Sequence, residues 1–350
     1  MSHYTVLVIG DDVEGSLAPF HEFECTGHDD EFVQDVSQLE EAIKEYSEYT
    51  RTVYVDPEGK YHARYNDEFY RELTPEEEKE NHGWSWCGNG KSWTSKDWGD
   101  GKGYRAKMQF IPEWFVEKEV PISELETFRE WASDYYGKKI INESEIPDLS
   151  GDHKYGYMRV GKNGEVIEMI DRTNPNSHWD WYQIGGRWAW GITVKPGTTF
   201  DTPNFSWGWN AEEKAKMIQT LRTDSAMIKD IDFDAMTAAS IQDYTERYAI
   251  LSNWDNTPAE ERFGRFFWAN DEIEFVKAGH SLQEYIDEFI PHPLSAYAYI
   301  YENEWYARGE MGWWACSDDK FTASEWKKEF TKFISTLDPE TRITFVDCHT

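Results

Sequence analysis

The sequence has few cysteines, no long apolar run and no leader-like start. Its four cysteines, Cys25, Cys87, Cys316 and Cys348, are far apart and form neither a CxxC pair nor a zinc-type spacing. We therefore expect free thiols in a reducing compartment. No stretch of 18 apolar residues is present, and the first residues lack the basic region and the apolar length of a signal peptide. These absences predict a soluble intracellular protein that is not bound to a membrane.

Basic side chains are also scarce, since 35 Lys and Arg face 67 Asp and Glu in 350 residues, for a net charge of −32. A groove that follows a nucleic-acid backbone needs clustered Lys and Arg, so we do not expect direct binding to that backbone. The charge is uneven along the chain. Residues 1–50 hold 13 acids and one base, whereas residues 151–200 hold 5 acids and 6 bases.

Aromatic residues, by contrast, are abundant at 16% of the chain, and the hydrophobic content is 39%. Large rings supply enough burial to offset chain entropy, so the chain is expected to be globular. Strand and helix patterns alternate irregularly, with several hairpins, which favours the α+β class with mixed or antiparallel sheets and packed helices. Ferredoxin-like units are one such arrangement. We expect one compact unit over 1–350, or two lobes at about 1–200 and 201–350, with an inserted loop near 76–103.

Local periodicity predicts individual elements. Ser123 with Glu126 three residues later has the spacing of a capping box and predicts the start of a helix. The predicted helices are 37–49, 123–136, 211–240, 281–289 and 323–337. The predicted strands are 3–9, 114–120, 297–307, 311–316 and 342–348, and the predicted hairpins are 52–65 and 155–170.

The strongest local feature runs from Asn174 to Gly191, with four Trp and one Tyr within twelve residues. Its Gly185-Gly186 pair lets another group approach the backbone closely. Rings can stack on a planar base, and an adjacent guanidinium can bind a phosphate. The candidate ligand-binding residues of this first segment are Trp179, Trp181, Tyr182, Arg187 and Trp188.

A second segment, 305–314, has the same mixture of rings, glycine and one arginine, and the two segments are expected to line one cleft. Its candidate ligand-binding residues are Arg308, Glu310, Trp313 and Trp314. The alternative interpretation is structural. In that case the rings fill the core, where Trp and Tyr commonly lie, and Arg187 pairs with a buried acid.

The other motifs do not indicate a catalytic, metal-binding or phosphate-binding site. Residues 88–92 resemble part of a phosphate-binding loop but lack its first glycine and a preceding strand. The acidic clusters do not match a calcium loop. Asp347 and His349 are candidates for an acid/base pair, although decoration of an edge strand is the more common role. No catalytic residue, metal ligand or cofactor is therefore predicted.

Four short motifs, separated along the sequence, together resemble those of a known group of proteins. They are the opening His3-Tyr4-Thr5-Val6-Leu7-Val8-Ile9-Gly10, the stretch from Asn174-Pro175 to Trp188, the stretch Gly309-Glu310-Met311-Gly312-Trp313-Trp314, and the closing Val346-Asp347-Cys348-His349. In this order they resemble a family of hypothetical proteins of tailed bacteriophages. The resemblance implies a phage gene product that works in the cytoplasm of the infected bacterium. It implies no particular reaction.

Three functions are consistent with these observations. The first is a non-enzymatic phage protein that neutralises a host component, for example by sequestering a nucleotide-type defence signal between the Trp and Arg residues. The second is an acidic mimic of DNA that inhibits a host nuclease or restriction enzyme. The third is an enzyme that uses carboxylates on a nucleotide or a sugar. The partner is thus a host small molecule or a host defence protein, and the sequence does not indicate the oligomeric state.

Overall fold

The computed structural model describes residues 2–72, 107–200, 219–258, 269–312 and 316–350, together with 212, 215, 216 and 262. The described helices pack on mixed and antiparallel sheets, which confirms the predicted α+β class. The chain divides into two compact units. Unit 1 comprises residues 1–34 and 173–350, and unit 2 comprises residues 35–172. This division differs from lobes at 1–200 and 201–350 because the first strand of unit 1 pairs with strands close to the C-terminus.

Unit 1 is built on a sheet whose described strands are β1 His3–Ile9, β11 Trp181–Ile184, β14 Ser225–Met227, β15 Ala298–Tyr301, β16 Glu304–Ala307 and β19 Arg342–His349. They run in the order β11-β19-β1-β15-β16, with β14 also paired to β19. Strand β1 is parallel to β15 and antiparallel to β19. Both β1 and β19 are rich in Val, Ile and aromatic residues, which is the composition of strands that are buried on both faces.

Helices and short strands surround this sheet. The described helices of unit 1 are α1 Val13–Leu17, α2 Phe23–Thr26, α5 Phe233–Ser252, α6 Asn270–Lys277, α7 Leu282–Phe289 and α8 Ala323–Ile334. Two short antiparallel pairs complete it: β12 Ile192–Thr193 with β13 Arg222–Thr223, and β17 Gly309–Met311 with β18 Ser317–Asp319.

The two faces of the sheet carry different cores, because side chains alternate along each strand. Leu7 and Phe345 lie in a core with Trp326 and Phe330 of α8. Tyr4, Val6, Val346 and Cys348 point the other way, into a second core completed by Leu17, Phe20 and Trp179. The segment 10–22, which contains α1, therefore closes the second face.

The described strands of unit 2 are β2 Gln34–Ser37, β3 Thr50–Val55, β4 Tyr61–Ala63, β5 Tyr70–Glu72, β6 Lys107–Gln109, β7 Val116–Pro121, β8 Lys139–Asn142, β9 Gly156–Val160 and β10 Val166–Thr173, and its described helices are α3 Leu39–Glu48 and α4 Phe128–Tyr135. The strands form a four-stranded sheet in the order β2-β10-β9-β8, a three-stranded sheet in the order β4-β3-β7, and the pair β5-β6. The core of unit 2 packs Ala42, Trp131, Met158 and Met169 between the two described helices and the four-stranded sheet.

Several predicted elements are wrong in detail. Helix α4 begins after Thr127, whose capping box uses Glu130, because residues 122–124 form a separate 3-10 turn. The strand predicted over 297–307 is the hairpin β15-β16, which turns at Glu302 and Asn303 with positive φ. The helix predicted over 211–240 is replaced from residue 222 onwards by β13, β14 and the start of α5. The predicted loop at 76–103 and residues 313–315 lie outside the described residues.

Within the described part of the chain, no helix combines the length and the apolar character needed to cross a membrane.

Candidate functional site

A recess of about 480 Å³ lies in unit 1, on the sheet face that segment 10–22 covers. It is lined by Gly15, Pro19, Phe20, Phe32, Asn176, His178, Asn303, Glu304 and Trp305. Both aromatic segments contribute, since Asn176 and His178 belong to the first and Trp305 to the second. Pockets for small ligands commonly have volumes of about 300–1,000 Å³, so the recess has room for a compact organic molecule.

Three rings form one wall of the recess. His178 is stacked on Trp305, with ring centroids 4.5 Å apart and planes 16° apart. Phe20 packs against both, at 5.2 Å from Trp305 and 5.9 Å from His178. Behind them, the hydroxyl of Tyr4 donates a hydrogen bond to the carbonyl oxygen of His178. Strand β1 thus fixes the backbone that carries the stacked imidazole.

Hydrogen bonds from side chains of the first segment hold residues 17–21 in place. The Nδ2 of Asn174, which is 1% exposed, donates to the carbonyl oxygens of Pro19 and His21 at 2.9 and 2.8 Å. The indole of Trp179 donates to the carbonyl oxygen of Leu17 at 3.0 Å. These bonds tie the segment to residues 17–21 and position Phe20. The wall of the recess is therefore set before any ligand binds.

The electrostatics of the recess favour a ligand without strong negative charge. Burial lowers the pKa of His178, and Lys320 adds to this effect while Glu310 opposes it, so the imidazole is neutral at neutral pH. Of the lining residues that the structure describes, Glu304 alone carries a formal charge. The side chains of Asn176, Asn303 and Glu304 have no hydrogen-bond partner within the described residues, so they can bind a ligand's polar groups.

The Gly185-Gly186 turn lies elsewhere and binds the protein's own carboxylates. A Cβ at Gly185 would lie 2.6 Å from Cγ of Asp224, and one at Gly186 would lie 2.3 Å from Cβ of Asp347. Asp347 accepts a hydrogen bond from the backbone N–H of Arg187 at 3.0 Å, and Asp224 accepts one from that of Trp190. The two glycines therefore allow a backbone turn to close over two buried aspartates, which are 4% and 1% exposed.

The predicted residues of the first segment do not line the recess. Trp179 is buried in the core, and Tyr182 packs against that core. Trp181 and Trp188 are 48% and 36% exposed. The Arg187 side chain is exposed, and its guanidinium has no ion-pair partner within the described residues. The contact of Arg187 with a buried acid is made by its backbone N–H to Asp347, rather than by its guanidinium.

The predicted residues of the second segment form local pairs. Arg308 binds Asp319 at 2.6 Å, and Glu310 binds Lys320 at 3.0 Å, which lowers the pKa of Glu310. Both pairs link neighbouring chain segments around β17 and β18. Trp313 and Trp314 lie outside the described residues.

Sequence reasoning missed the residues that line the recess. His178 lies within the first segment and Trp305 opens the second, but a histidine and a tryptophan at these positions carry no sequence pattern that distinguishes them from the other rings of the two segments. The positive φ of Glu302 and Asn303, which turns the hairpin and brings Trp305 back towards His178, has no clear sequence signal. The Asn-Pro-Asn run at 174–176 was the available signal for a polar turn beside the rings.

Comparisons with protein-family models, with curated proteins and with solved structures find no match to this chain.

Proposed function

We propose that this chain is a non-enzymatic binding protein for a small planar compound of the nucleobase or nucleoside type, held in the recess beside His178 and Trp305. The observation that carries the proposal is the stacked pair itself. A pre-set aromatic wall supplies a flat surface for a ring at low entropic cost, and stacking of one base on an aromatic side chain contributes about 1–3 kcal/mol.

The polar groups of the recess define the ligand class. Two amides, a neutral imidazole and one carboxylate can pair with the donors and acceptors at the edge of a heterocycle. No Lys or Arg is among the described residues that line the recess, and Glu304 would repel a phosphate. The preferred ligand is therefore neutral or cationic. This narrows the nucleotide-type signal expected from the sequence to a compound without a phosphate close to its ring.

The biological role follows from the resemblance to phage proteins. In an infected bacterium, a protein that binds such a compound without converting it would sequester a host-made molecule. A host defence signal is one such molecule. The charge of the acidic N-terminal block plays no part in this site, so we interpret that block as a solvated surface rather than a mimic of DNA.

Calorimetric titration with adenosine, guanosine, cytidine and uridine, each beside its 5′-monophosphate, tests the proposal. We expect at least one nucleoside to bind, and to bind more tightly than its monophosphate. Trp305→Leu should weaken that binding roughly 5- to 150-fold, the equivalent of about 1–3 kcal/mol. Trp181→Leu, which removes an exposed ring outside the recess, is the matched control and should bind as the wild type does.

Because Trp305 also touches the core, the double variant Asn176→Ala with Asn303→Ala provides a second test that leaves the rings intact. It should weaken binding while the unfolding temperature stays within a few degrees of the wild type. Chromatography of the released ligand should recover it unchanged. Absence of binding across the panel, unchanged affinity in both recess variants, or conversion of the ligand would contradict the proposal.

A further inference from the structure

Two histidine–carboxylate pairs lie side by side where β1 begins and β19 ends. The Nδ1 of His3 is 2.9 Å from Oδ1 of Asp347, and the Nδ1 of His349 is 2.6 Å from Oδ1 of Asp180. His3 and His349 are direct partners in the antiparallel register. They share a sheet face opposite to Tyr4 and Cys348, because side chains alternate along each strand. This cluster is therefore separate from the recess.

Each carboxylate favours one tautomer of its imidazole. A carboxylate oxygen accepts a hydrogen bond from an Nδ1–H, so the ring tautomer that makes this bond has its lone pair on Nε2. The hydrogen bond that each ring makes within the described residues is at Nδ1, and neither involves Nε2. The His3 and His349 side chains are 19% and 11% exposed. Each ring is thus held by a carboxylate in a largely buried setting, while part of its side chain remains exposed to solvent.

The separation of the rings fits a shared ion. The His3 and His349 ring centroids are 4.9 Å apart, with planes at 75°. A tetrahedral metal bound to both Nε2 atoms at about 2.0–2.1 Å would hold the centroids roughly 5 Å apart. A bridging water would require about 6 Å, given hydrogen bonds of about 2.8–2.9 Å. Edge-to-face packing of two rings covers the same range of distances, and the two Nε2 atoms without a hydrogen-bond partner in the described residues are the second observation that indicates a metal.

The two rings have the carboxylate hydrogen-bond partners that metal-binding histidines usually have. A histidine that binds a metal through one nitrogen nearly always donates its other N–H to a carboxylate or carbonyl, which orients the ring and raises its basicity. Asp347 is itself held, since it also accepts the N–H of Arg187 at 3.0 Å. The half-exposed Trp181 ring lies 6.0 Å from His3 and 6.4 Å from His349 and screens one side of the pair.

We propose that His3 and His349 bind one divalent transition-metal ion of the zinc type through their Nε2 atoms, with Asp347 and Asp180 orienting the two rings. Imidazole nitrogen suits zinc, copper and nickel, whereas magnesium and calcium prefer oxygen. The remaining coordination positions are open to water or to an exogenous ligand. This proposal is independent of the function assigned to the recess.

Metal titration of the full chain after chelator treatment tests the site. We expect one equivalent of Zn²⁺ to bind in calorimetry. With Cu²⁺ as the probe, the electron paramagnetic resonance spectrum should show hyperfine coupling to two imidazole nitrogens. The Cu²⁺ measurement needs no variant, so it remains decisive even if a substitution disturbs folding. A spectrum without coupling to two such nitrogens would overturn the assignment.

The matched variants are His3→Asn and His349→Asn, because the Asn side-chain amide can keep the hydrogen bond that Nδ1 makes while removing Nε2. Each should lower the Zn²⁺ affinity at least 10-fold, and the double variant should abolish binding. Asp180→Asn should lower it about 10- to 100-fold, as loss of an orienting partner does. His280→Asn is the control, since His280 is an exposed histidine 3.8 Å from Glu284.

One competing location requires its own control. Glu22, Cys25 and Asp180 offer ligand atoms that all lie within 4.8 Å of one another. Burial and the neighbouring Glu22 raise the pKa of the Cys25 thiol to about 11, which disfavours the thiolate that a metal needs. Cys25→Ser should therefore leave Zn²⁺ binding unchanged. Loss of binding in Cys25→Ser, or full binding in the double histidine variant, would overturn the proposal.

Discussion

At the scale of single residues, the Gly185-Gly186 turn shows what a motif can and cannot reveal. The sequence predicted correctly that some group approaches this backbone closely, because two adjacent glycines have few other uses. It gave no means of identifying that group, since Asp224 and Asp347 are 38 and more than 150 positions away in the chain. The carboxylates that meet the turn belong to the protein, so the turn is scaffold for β19 rather than a ligand site.

Replacing Gly186 by alanine should destabilise unit 1 by about 2–4 kcal/mol. Gly186 has φ +52, which costs a non-glycine residue about 1–2 kcal/mol, and the new Cβ would lie 2.3 Å from Cβ of the buried Asp347. Gly197→Ala is the control, since Gly197 has φ +89 with nothing within 4 Å and should cost only the backbone term. Urea unfolding at neutral pH measures both. Equal losses would show that the contact with Asp347 contributes nothing.

At the scale of elements, the sequence predicts strongly periodic or hydrophobic helices and strands well. It does not predict the boundaries of elements or the short strands. Strands β1 and β19 were evident because seven or eight successive residues favour extended, buried backbone. The helix predicted over 211–240 was wrong because β13 and β14 are two and three residues long, too short to show alternation. Tertiary pairing with β12 and β19 holds them in place.

The start of α4 provides a test of two rival capping boxes. The sequence offers Ser123 with Glu126 and, four residues later, Thr127 with Glu130. The structure uses the second pair, in which Glu130 accepts from the Thr127 hydroxyl at 2.7 Å and from its backbone N–H at 3.0 Å. Thr127→Ala should therefore destabilise the helix by about 1 kcal/mol, and Ser123→Ala should have little effect.

Hydrogen exchange measured by mass spectrometry resolves this difference locally, because exchange reports the opening free energy of individual segments. Peptides covering residues 128–135 should exchange roughly 5-fold faster in Thr127→Ala, the equivalent of about 1 kcal/mol, and at the wild-type rate in Ser123→Ala. Faster exchange in Ser123→Ala instead would show that the helix begins four residues earlier than described.

At the scale of the whole molecule, the organisation could not be predicted from local pattern. Strand β1 pairs with β15 and β19, nearly 300 and 340 residues away, and no periodicity carries information over that distance. The same pairing creates both candidate sites. It places His3 beside His349 and brings Tyr4 behind His178. The sequence shows which histidine and aromatic residues are present. It does not show which of them are neighbours, because that depends on the register of the strands.

This organisation predicts that unit 1 folds without unit 2. Among the described residues, the core clusters of unit 1 contain none from 35–172, and the unit 2 core contains none from outside that range. The ends of unit 2 are adjacent, since Nε of Arg172 lies 3.0 Å from Oδ1 of Asp35. A short Gly/Ser linker can therefore join Gln34 to Thr173 without strain.

We expect this deletion variant to retain near-ultraviolet circular dichroism and a cooperative thermal transition, because both cores and the β1 pairings remain. It should bind Zn²⁺ with the wild-type stoichiometry, since His3, His349 and their carboxylates all belong to unit 1. Residues 35–172 expressed alone are the complementary control and should not show this Zn²⁺ binding, because they contain neither His3 nor His349. Secondary structure without fixed tertiary packing in the deletion variant would mean that unit 1 depends on unit 2 for its fold, which its self-contained cores argue against.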